Sequence, residues 1–371
     1  MTKKLGDLCD IARGGSPRPI QQYLTNSPDG INWIKISDAS ASSKYIYETK
    51  EKIKPEGVTK SRLVQKDDFL LSNSMSFGRP YIMKISGCIH DGWLVLKDKS
   101  GLFDQDYLYY FLNSQAAYKQ FDNLAAGSTV RNLNTQLVKN VIIPIPPIEE
   151  QKRIVEILDK AFEGIAQAEA NTRRNLINAR ELFDSYLNQV FTKHDQNWTQ
   201  EPLGKVCTLQ RGYDLPQRLR VEGKFPLVSS SGIIDSHQEA KVKAPGVVTG
   251  RSGSIGSLFY VKENFWPLNT VLYVKDFHEN DPEFIFYLLK HFNLGKYASG
   301  TGVPTLNRNH VHSVLVKKPI FIEEQKNLVK SLNKLQEYQK RLETIYQRKL
   351  EAIAELKQSI LEKAFTGQLS Q

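Results

Sequence analysis

The chain is poor in sulfur and has no long apolar run, and both shortages narrow what it can be. Three cysteines in 371 residues are few and odd in number, which argues against a disulfide framework and for a reducing compartment. No stretch nears the roughly 18 consecutive apolar residues of a membrane span, and the opening MTKKLGDLCD has no signal-peptide core. The expectation is a soluble cytoplasmic protein with no membrane partner. Catalytic signatures are missing as well. There is no Gly-x-x-x-x-Gly-Lys-Ser/Thr phosphate loop, no Asn-Pro-Pro-Tyr or Asp-Pro-Pro-Tyr motif of adenine methylation, no Cys-x-x-Cys pair and no His-Glu-x-x-His zinc site. Gly250-Arg251-Ser252-Gly253-Ser254-Ile255-Gly256 looks like a dinucleotide loop but lacks the following helix and downstream acid. His310-Val311-His312 could hold a metal from one strand face, yet no cysteine or carboxylate cluster stands near it, so surface histidines are the better reading. No catalytic residue, metal ligand or resident cofactor is expected.

What the chain does have is a second copy of itself. Ile-Glu-Glu-Gln-Lys occurs at Ile148–Lys152 and again at Ile322–Lys326. Leu5-Gly6 with Cys9, Arg13 and Gly14 recurs as Leu203-Gly204 with Cys207, Arg211 and Gly212, a constant shift of 198 positions. Leu133-Asn134 recurs as Leu306-Asn307, and Phe191-Thr192 as Phe365-Thr366. One unit of about half the length is written twice, which predicts a pseudo-two-fold molecule doing one kind of job at two places. The length calls for two or more domains, and 40% hydrophobic with 10% aromatic residues is enough to pack them. A formal charge of +10 points to a polyanionic partner. Cys9 and Cys207 read as small buried apolar side chains.

Each copy has two textures. From Leu5 to about Pro147 the sequence is turn-rich, with short apolar runs at Asp68–Leu71 and Gly92–Leu96, matched by Val247-Val248 and Thr270–Val274. One helix is predicted over Asp106–Phe121 and its counterpart over Glu283–Leu294. After Pro144, Pro146 and Pro147 the period changes. Ile154, Leu158, Ala161, Ile165, Ala168 and Thr172 step by fours and threes, a heptad seam that continues through Leu176, Leu182 or Phe183, Leu187 and Val190. The second copy reads Leu328, Leu332, Leu335, Gln339, Leu342, Tyr346, Ile353, Leu356 and Ile360. Two such helices can bury their stripes against each other, and the connections favour an antiparallel pair. At ~1.5 Å per residue, each is a rod on the order of 65 Å, so the expected shape is a calliper.

Several of these elements together resemble the specificity subunit of type I restriction-modification enzymes. They are Pro147-Ile148-Glu149-Glu150-Gln151-Lys152-Arg153-Ile154, the terminal Phe365-Thr366-Gly367-Gln368-Leu369, and the Gly-Ser/Thr-to-Leu-Asn elements Gly127–Asn134 and Gly300–Asn307. Any one is weak; the duplicated set in fixed order is specific and covers essentially the whole chain. One departure is Lys193 where the second copy has Gly367, the glycine that closes the second helix.

The resemblance implies an α+β architecture: two pseudo-two-fold-related target recognition domains separated by two long helices in an antiparallel coiled coil. The boundaries would be 1–148 for the first domain, 149–192 for the central helix, 193–199 for a linker, 200–320 for the second domain and 321–371 for the C-terminal helix. Each domain would read one half of a bipartite double-stranded DNA sequence. The helices would set the half-site spacing and dock two modification subunits, with restriction subunits beyond them. S-adenosylmethionine, ATP and Mg would belong to those partners and no cofactor to this chain, in a bacterial or archaeal cytoplasm at the nucleoid.

Loops that mix Arg or Lys with Ser, Thr, Asn and Gly are the candidate DNA contacts, because they bring forked donors and backbone amides close to a duplex. Three pairs qualify. The first holds Ser74, Ser76 and Arg79 against Arg251, Ser252 and Ser254. The second holds Ser128, Thr129 and Arg131 against Thr301 and Thr305. The third holds Arg13 and Arg18 against Arg211, Tyr213, Arg218 and Arg220. Arginine bidentate to guanine makes Arg79, Arg131, Arg211 and Arg251 the leading readers, with phosphate positioning or plain solvation the other reading of any one of them. Glu149, Gln151, Ile154, Leu158 and Ile165, with Glu323, Gln325, Leu328, Leu332, Leu342 and Leu356, are assigned to the helix seam and partner binding. The competing reading is a coiled-coil adaptor with two protein-binding modules and no role on DNA.

Overall fold

A computed structural model describes residues 1–39, 44–73, 78–125, 133–192, 197–300 and 304–369. The chain forms two compact units, Met1–Thr172 with Lys349–Gln371, and Arg173–Arg348. The helices are therefore not bodies of their own. Each unit is one sheet module plus a segment of both helices.

Period-two alternation builds both modules. In the first unit, strands Cys9–Arg13, Trp93–Asp98, Phe69–Ser72, Pro80–Met83 and Tyr45–Ile46 lie in that order in one sheet. Phe69, Leu71, Leu94 and Leu96 point from it into the core shared with the helices. Their neighbours Leu70, Tyr81, Trp93 and Val95 point the other way, toward a second five-stranded sheet. A strand buried on both faces needs an unbroken apolar run, and Phe-Leu-Leu supplies it. The second unit repeats the plan with Thr208–Arg211, Val271–Asp276, Gly246–Gly250 and Leu258–Val261. Val247, Leu272 and Val274 face the helices while Val248, Val271 and Tyr273 face a three-stranded sheet. The expected strands are all present.

The single helix expected over Asp106–Phe121 is two, Gln105–Leu112 and Gln115–Ala125. Ser114 divides them. Its hydroxyl donates to the Phe111 carbonyl at 2.6 Å and accepts from the Ala117 N–H at 3.3 Å, closing one helix and opening the next. The counterpart runs unbroken over Pro282–Phe292. Asp104 and Asp281 cap the equivalent first turns.

The long helices span Ile148–Thr192 and Ile322–Phe365. In the first unit, Ile154 and Leu158 share a core with Leu361 and Ala364. In the second, Phe183, Leu187 and Phe191 share one with Val329 and Leu332, and Arg180 Nε lies 3.0 Å from Glu343. Each unit thus pairs an early part of one helix with a late part of the other, the antiparallel arrangement that the connections favour. Of the two alternatives Leu182 and Phe183, Phe183 is the buried one, and one seam position differs: Leu356 is 51% exposed. The stripe reaches the core through Leu361 and Ala364, because a 3.6-residue turn drifts off a strict heptad. Gly367, at φ +79°, ends the second helix as expected, with the Gln368 N–H donating back to the Lys363 carbonyl. All three cysteines are buried, and burial pushes the Cys9 and Cys207 thiols up to about 12.

Candidate nucleic-acid interface

The loops singled out in the sequence are stitched together the same way in both units. Arg13 and Arg211 end their strands, and the glycine after each passes hard against a neighbouring turn. A Cβ on Gly14 would stand 2.1 Å from the His90 oxygen, and one on Gly212 2.2 Å from the Leu268 oxygen. No larger residue fits. The next loop closes through the Gly78 N–H to the Ser72 carbonyl at 2.9 Å and the Gly256 N–H to the Gly250 carbonyl at 3.0 Å, both glycines at positive φ. The third joins it through the Leu133 N–H to the Asn73 carbonyl and the Leu306 N–H to the Arg251 carbonyl, each 2.8 Å. These registers make Asn73 the structural equivalent of Arg251, and Asp91 that of Asn269.

In the second unit this assembly opens a cleft of about 720 Å³, lined among others by Gln210, Arg211, Tyr213, Arg251, Thr305 and Arg308. Four predicted residues from three separate loops meet there. Arg251 is half-buried, and its guanidinium donates to the Asn269 carbonyl at 3.4 Å. The Asn269 amide donates to Asp214, which pairs with Arg211 at 3.6 Å. One chain of contacts therefore holds two arginines on the wall of one cleft, as fixed donors rather than free side chains. The Tyr213 hydroxyl lies 3.0 Å from that of Tyr273. Ser252 bridges to Thr305 and Ser254 is exposed at the loop tip. Arg218 sits exposed on a turn, and Arg220 donates to the Leu215 carbonyl at 3.3 Å; neither lines the cleft.

The first unit gathers differently. Arg13 Nε donates to the Asp91 carbonyl at 2.9 Å, the Ser16 hydroxyl donates to the Asp91 carboxylate at 2.7 Å, and Arg18 lies 3.5 Å from it. The Ser16 hydrogen bond holds that carboxyl below its ordinary range. A cavity of about 500 Å³ beside it is lined by Arg18, Trp33, Lys35, Glu51, His90 and Asp91, among others. Asn73 is buried, and its amide donates to the Asp91 carbonyl at 2.8 Å. Arg79 is exposed, with its guanidinium 5.5 Å above the Tyr81 ring. Ser74, Ser76, Ser128, Thr129, Arg131 and Thr301 lie outside the described residues. Sequence reasoning placed Asn73 in a candidate loop without singling it out, and missed Asp91, Asn269 and Arg308. Asp91 and Asn269 each directly precede the residue whose carbonyl pairs with position 73 or 251, so the register, once known, finds them.

The repeated pentapeptide has a role of its own. Gln151 and Gln325 are both buried against their own module. Gln151 accepts from the Asp104 N–H at 2.8 Å and donates to the Leu102 and Pro146 carbonyls at 2.9 and 2.8 Å. Gln325 accepts from the Asp281 N–H at 2.9 Å and donates to Asn280 Oδ1 and the Pro319 carbonyl at 2.9 and 3.2 Å. Buried amides must be satisfied, so each glutamine clips the start of a long helix to a capped turn of its module. The Tyr110 hydroxyl, bonded to Asp159, and the Tyr287 hydroxyl, bonded to Asn333, make a second clip. Glu149 and Glu323 are exposed and pair with Lys152 and Lys326 one turn on. His310 and His312 sit on a short helix, Arg308–His312, not on a strand face. His312 is half-buried and accepts the Leu209 N–H at 2.9 Å, so of this pair His310 alone lies at the surface. Among the described residues no group of three or more ligands could hold a metal ion, and no helix is long and apolar enough to cross a membrane.

Comparison with known proteins gives the family and the fold. The sequence profile of the type I restriction modification DNA specificity domain matches residues 1–179 and 195–352. The MjaIX specificity subunit of Methanocaldococcus jannaschii is 27% identical over 58% of the chain, a match spanning 53% of that relative's length. The MjaVIII specificity subunit of the same organism is 21% identical over 99% of the chain and 92% of its own length. The EcoBI specificity subunit of Escherichia coli is 22% identical over 94% and 82%. Among solved structures, a chain from the complex assembly and conformational transition of the type I R-M system superposes with a TM-score of 0.84 at 17% identity, covering 99% of this chain and 98% of that one. The HsdS subunit from Thermoanaerobacter tengcongensis gives 0.63 at 18% identity, covering 99% and 97%. At these identities the likeness establishes the fold.

Proposed function

The chain belongs to the type I restriction-modification DNA specificity family, and from that premise we propose that it is the non-catalytic DNA-reading subunit of such a complex. Each unit reads one half of a bipartite double-stranded target. The chemistry belongs to partners: modification subunits that use S-adenosylmethionine, and restriction subunits that use ATP and Mg. The observation that carries this reading is the meeting of Arg211, Arg251, Thr305 and Arg308 in one cleft of the second unit. Paired arginines with fixed orientation suit guanine edges and phosphates, and a basic chain of charge +10 favours a polyanion.

The test is module exchange. Residues 200–320 are replaced by the equivalent module of another family member, and methylated adenines are mapped across genomic DNA from cells carrying each version. One half of the recognised sequence should change and the other should persist. Simultaneous alteration of both halves would overturn the two-reader model, and methylation by the partners without this chain would overturn its role.

A further inference from the structure

The two units differ at one sheet edge. In the first unit, Tyr45–Ile46 runs parallel to Pro80–Met83 and covers its outer side. The Ile82 N–H donates to the Lys44 carbonyl and the Lys84 N–H to the Ile46 carbonyl, both at 2.9 Å. The Lys44 ammonium then enters the module. It lies 2.7 Å from the Asp106 carboxylate and 5.1 and 5.3 Å from the Tyr109 and Tyr110 ring centres.

The second unit keeps the receptor and lacks the strand. Leu258–Val261 corresponds to Pro80–Met83 and is the last strand of its four-stranded sheet. The connection before the neighbouring strand Gly246–Gly250, Ser229–Pro245, is much shorter than Lys35–Asp68, the stretch before Phe69–Ser72 that supplies the covering strand in the first unit. Among the described residues no segment pairs with that outer edge, and Leu258, Phe259 and Tyr260 are half-buried where the equivalent residues of the first unit are fully buried. Glu283, Phe286 and Tyr287 occupy the places of Asp106, Tyr109 and Tyr110, counted from the matching caps Asp281 and Asp104. They line a cleft of about 460 Å³ with Tyr260, whose ring stands edge-on to Phe286 at 5.9 Å, and with Glu337, Lys262 and Lys340. Asn333 donates to Glu283 at 3.0 Å, and among the described residues no lysine or arginine pairs with that carboxylate. A carboxylate beside aromatic faces is a receptor for an ammonium group, and an uncovered strand edge is a receptor for another strand.

We propose that an extended segment of a partner protein docks on Leu258–Val261 as a fifth, parallel strand and sends a lysine into the Glu283–Phe286–Tyr287 cleft. The first unit defines the chemistry of the occupant, a lysine followed by alternating aromatic and aliphatic residues. The inference does not depend on DNA reading, since it uses another face and another ligand class.

The probe is a capped, fluorescent peptide of residues 44–49, KYIYET, added to the full chain. Saturable binding should appear together with slowed amide exchange confined to the peptide segment covering residues 258–262. A peptide with norleucine in place of lysine should bind about tenfold more weakly, and Glu283→Gln should reproduce that loss. If Glu283→Gln disturbs folding, the norleucine peptide tests the same contact on the native chain. Unchanged exchange at 258–262 under about millimolar peptide, or equal binding of the norleucine peptide, overturns the proposal. Displacement of the peptide by duplex DNA would also overturn it, by marking the cleft as a nucleic-acid surface.

Discussion

The two units share their frame and differ in what the frame presents. Gly14 and Gly212, Gln151 and Gln325, and Tyr110 and Tyr287 fill the same roles in both. The loops held by that frame have traded chemistry instead. In the first unit Ser16 donates to the Asp91 carboxylate, while in the second the Asn269 amide donates to the Asp214 carboxylate. These are the same two positions with donor and acceptor exchanged. The hydrogen bond survives, and the surface charge moves from one loop to the other. Next to it, Asn73 is buried and spent on structure, whereas its equivalent Arg251 reaches a cleft. A duplicated reader can diverge in this way without unfolding, because compensated changes keep buried polar groups paired.

The frame predicts equal responses from both units, and the largest should come from the glycines. Gly14→Ala and Gly212→Ala each drive a methyl into a backbone carbonyl that cannot rotate away, at a cost of about 4 kcal/mol or more. Two units need not unfold together, so peptide-resolved amide exchange is the right measurement. Each variant should expose its own unit and leave the other protected. Loss of protection in both would mean that the frames are not independent.

The glutamine clips come next. Gln151→Leu or Gln325→Leu strands a buried N–H and a prolyl carbonyl, which should cost about 3 kcal/mol. The loss should fall on the junction of the long helix with its module, read as faster exchange at Tyr107–Leu112 or Phe284–Leu289. If these residues instead bound a partner, the free protein would be indifferent to either change.

The readers should break the symmetry. Arg251→Ala should leave stability within about 0.5 kcal/mol and relax one position of one half-site, by about 1–3 kcal/mol of base discrimination. Asn73→Ala, at the equivalent place, should cost about 1–2 kcal/mol of stability by releasing the Asp91 carbonyl and leave discrimination alone. Binding titrations on single-base variants of the target, beside denaturation curves, separate the two. A specificity change from Asn73→Ala would undo the assignment of that side chain to the frame.

How much of this was legible follows the same division. Repeats, strand alternation and the heptad stripe are local or periodic, and they led to the sheets, the long helices and the antiparallel pairing. The cleft was legible as loops, since Arg211, Arg251 and Thr305 stood out by composition. Asn73 and Asp91 did not, because their roles depend on which strand lies beside which. Gln151 drew notice through its repetition and was assigned to the helix seam and partner binding, with the exposed Glu149. Helix phase alone does not say that the first turn of a helix is buried against the module it leaves. Ser114 split a predicted helix because its hydroxyl competes with the backbone, a choice that amphipathic periodicity does not register.

The smallest expected effect is on acid stability, and it tests whether the histidines belong to the frame. His90 and His312 sit at different places in their units, but burial depresses the pKa of both. The Lys35 ammonium adds to that effect at His90, opposed by Asp91 and Asp38, and the Arg308 guanidinium adds to it at His312. His312 Nε2 accepts the Leu209 N–H, and the Ile36 and Gly92 N–H groups approach His90 Nε2 and Nδ1, of which the neutral ring accepts at one, so a protonated ring loses its acceptor. The unfolded chain therefore takes up the proton first. Stability should be complete above the ordinary histidine value of about 6.5 and decline as the pH falls below it. Paired carboxylates such as Asp91 and Asp67, held below their ordinary range, withdraw their support only at lower pH. Between about pH 6.5 and 5 the slope is therefore chiefly a histidine slope. Denaturation midpoints taken across that window should fall, and His312→Gln should lessen the decline for the second unit, where burial also depresses His291, while leaving that of the first. A flat profile in the native chain would mean that these rings keep their ordinary affinity for protons and that their hydrogen bonds contribute little.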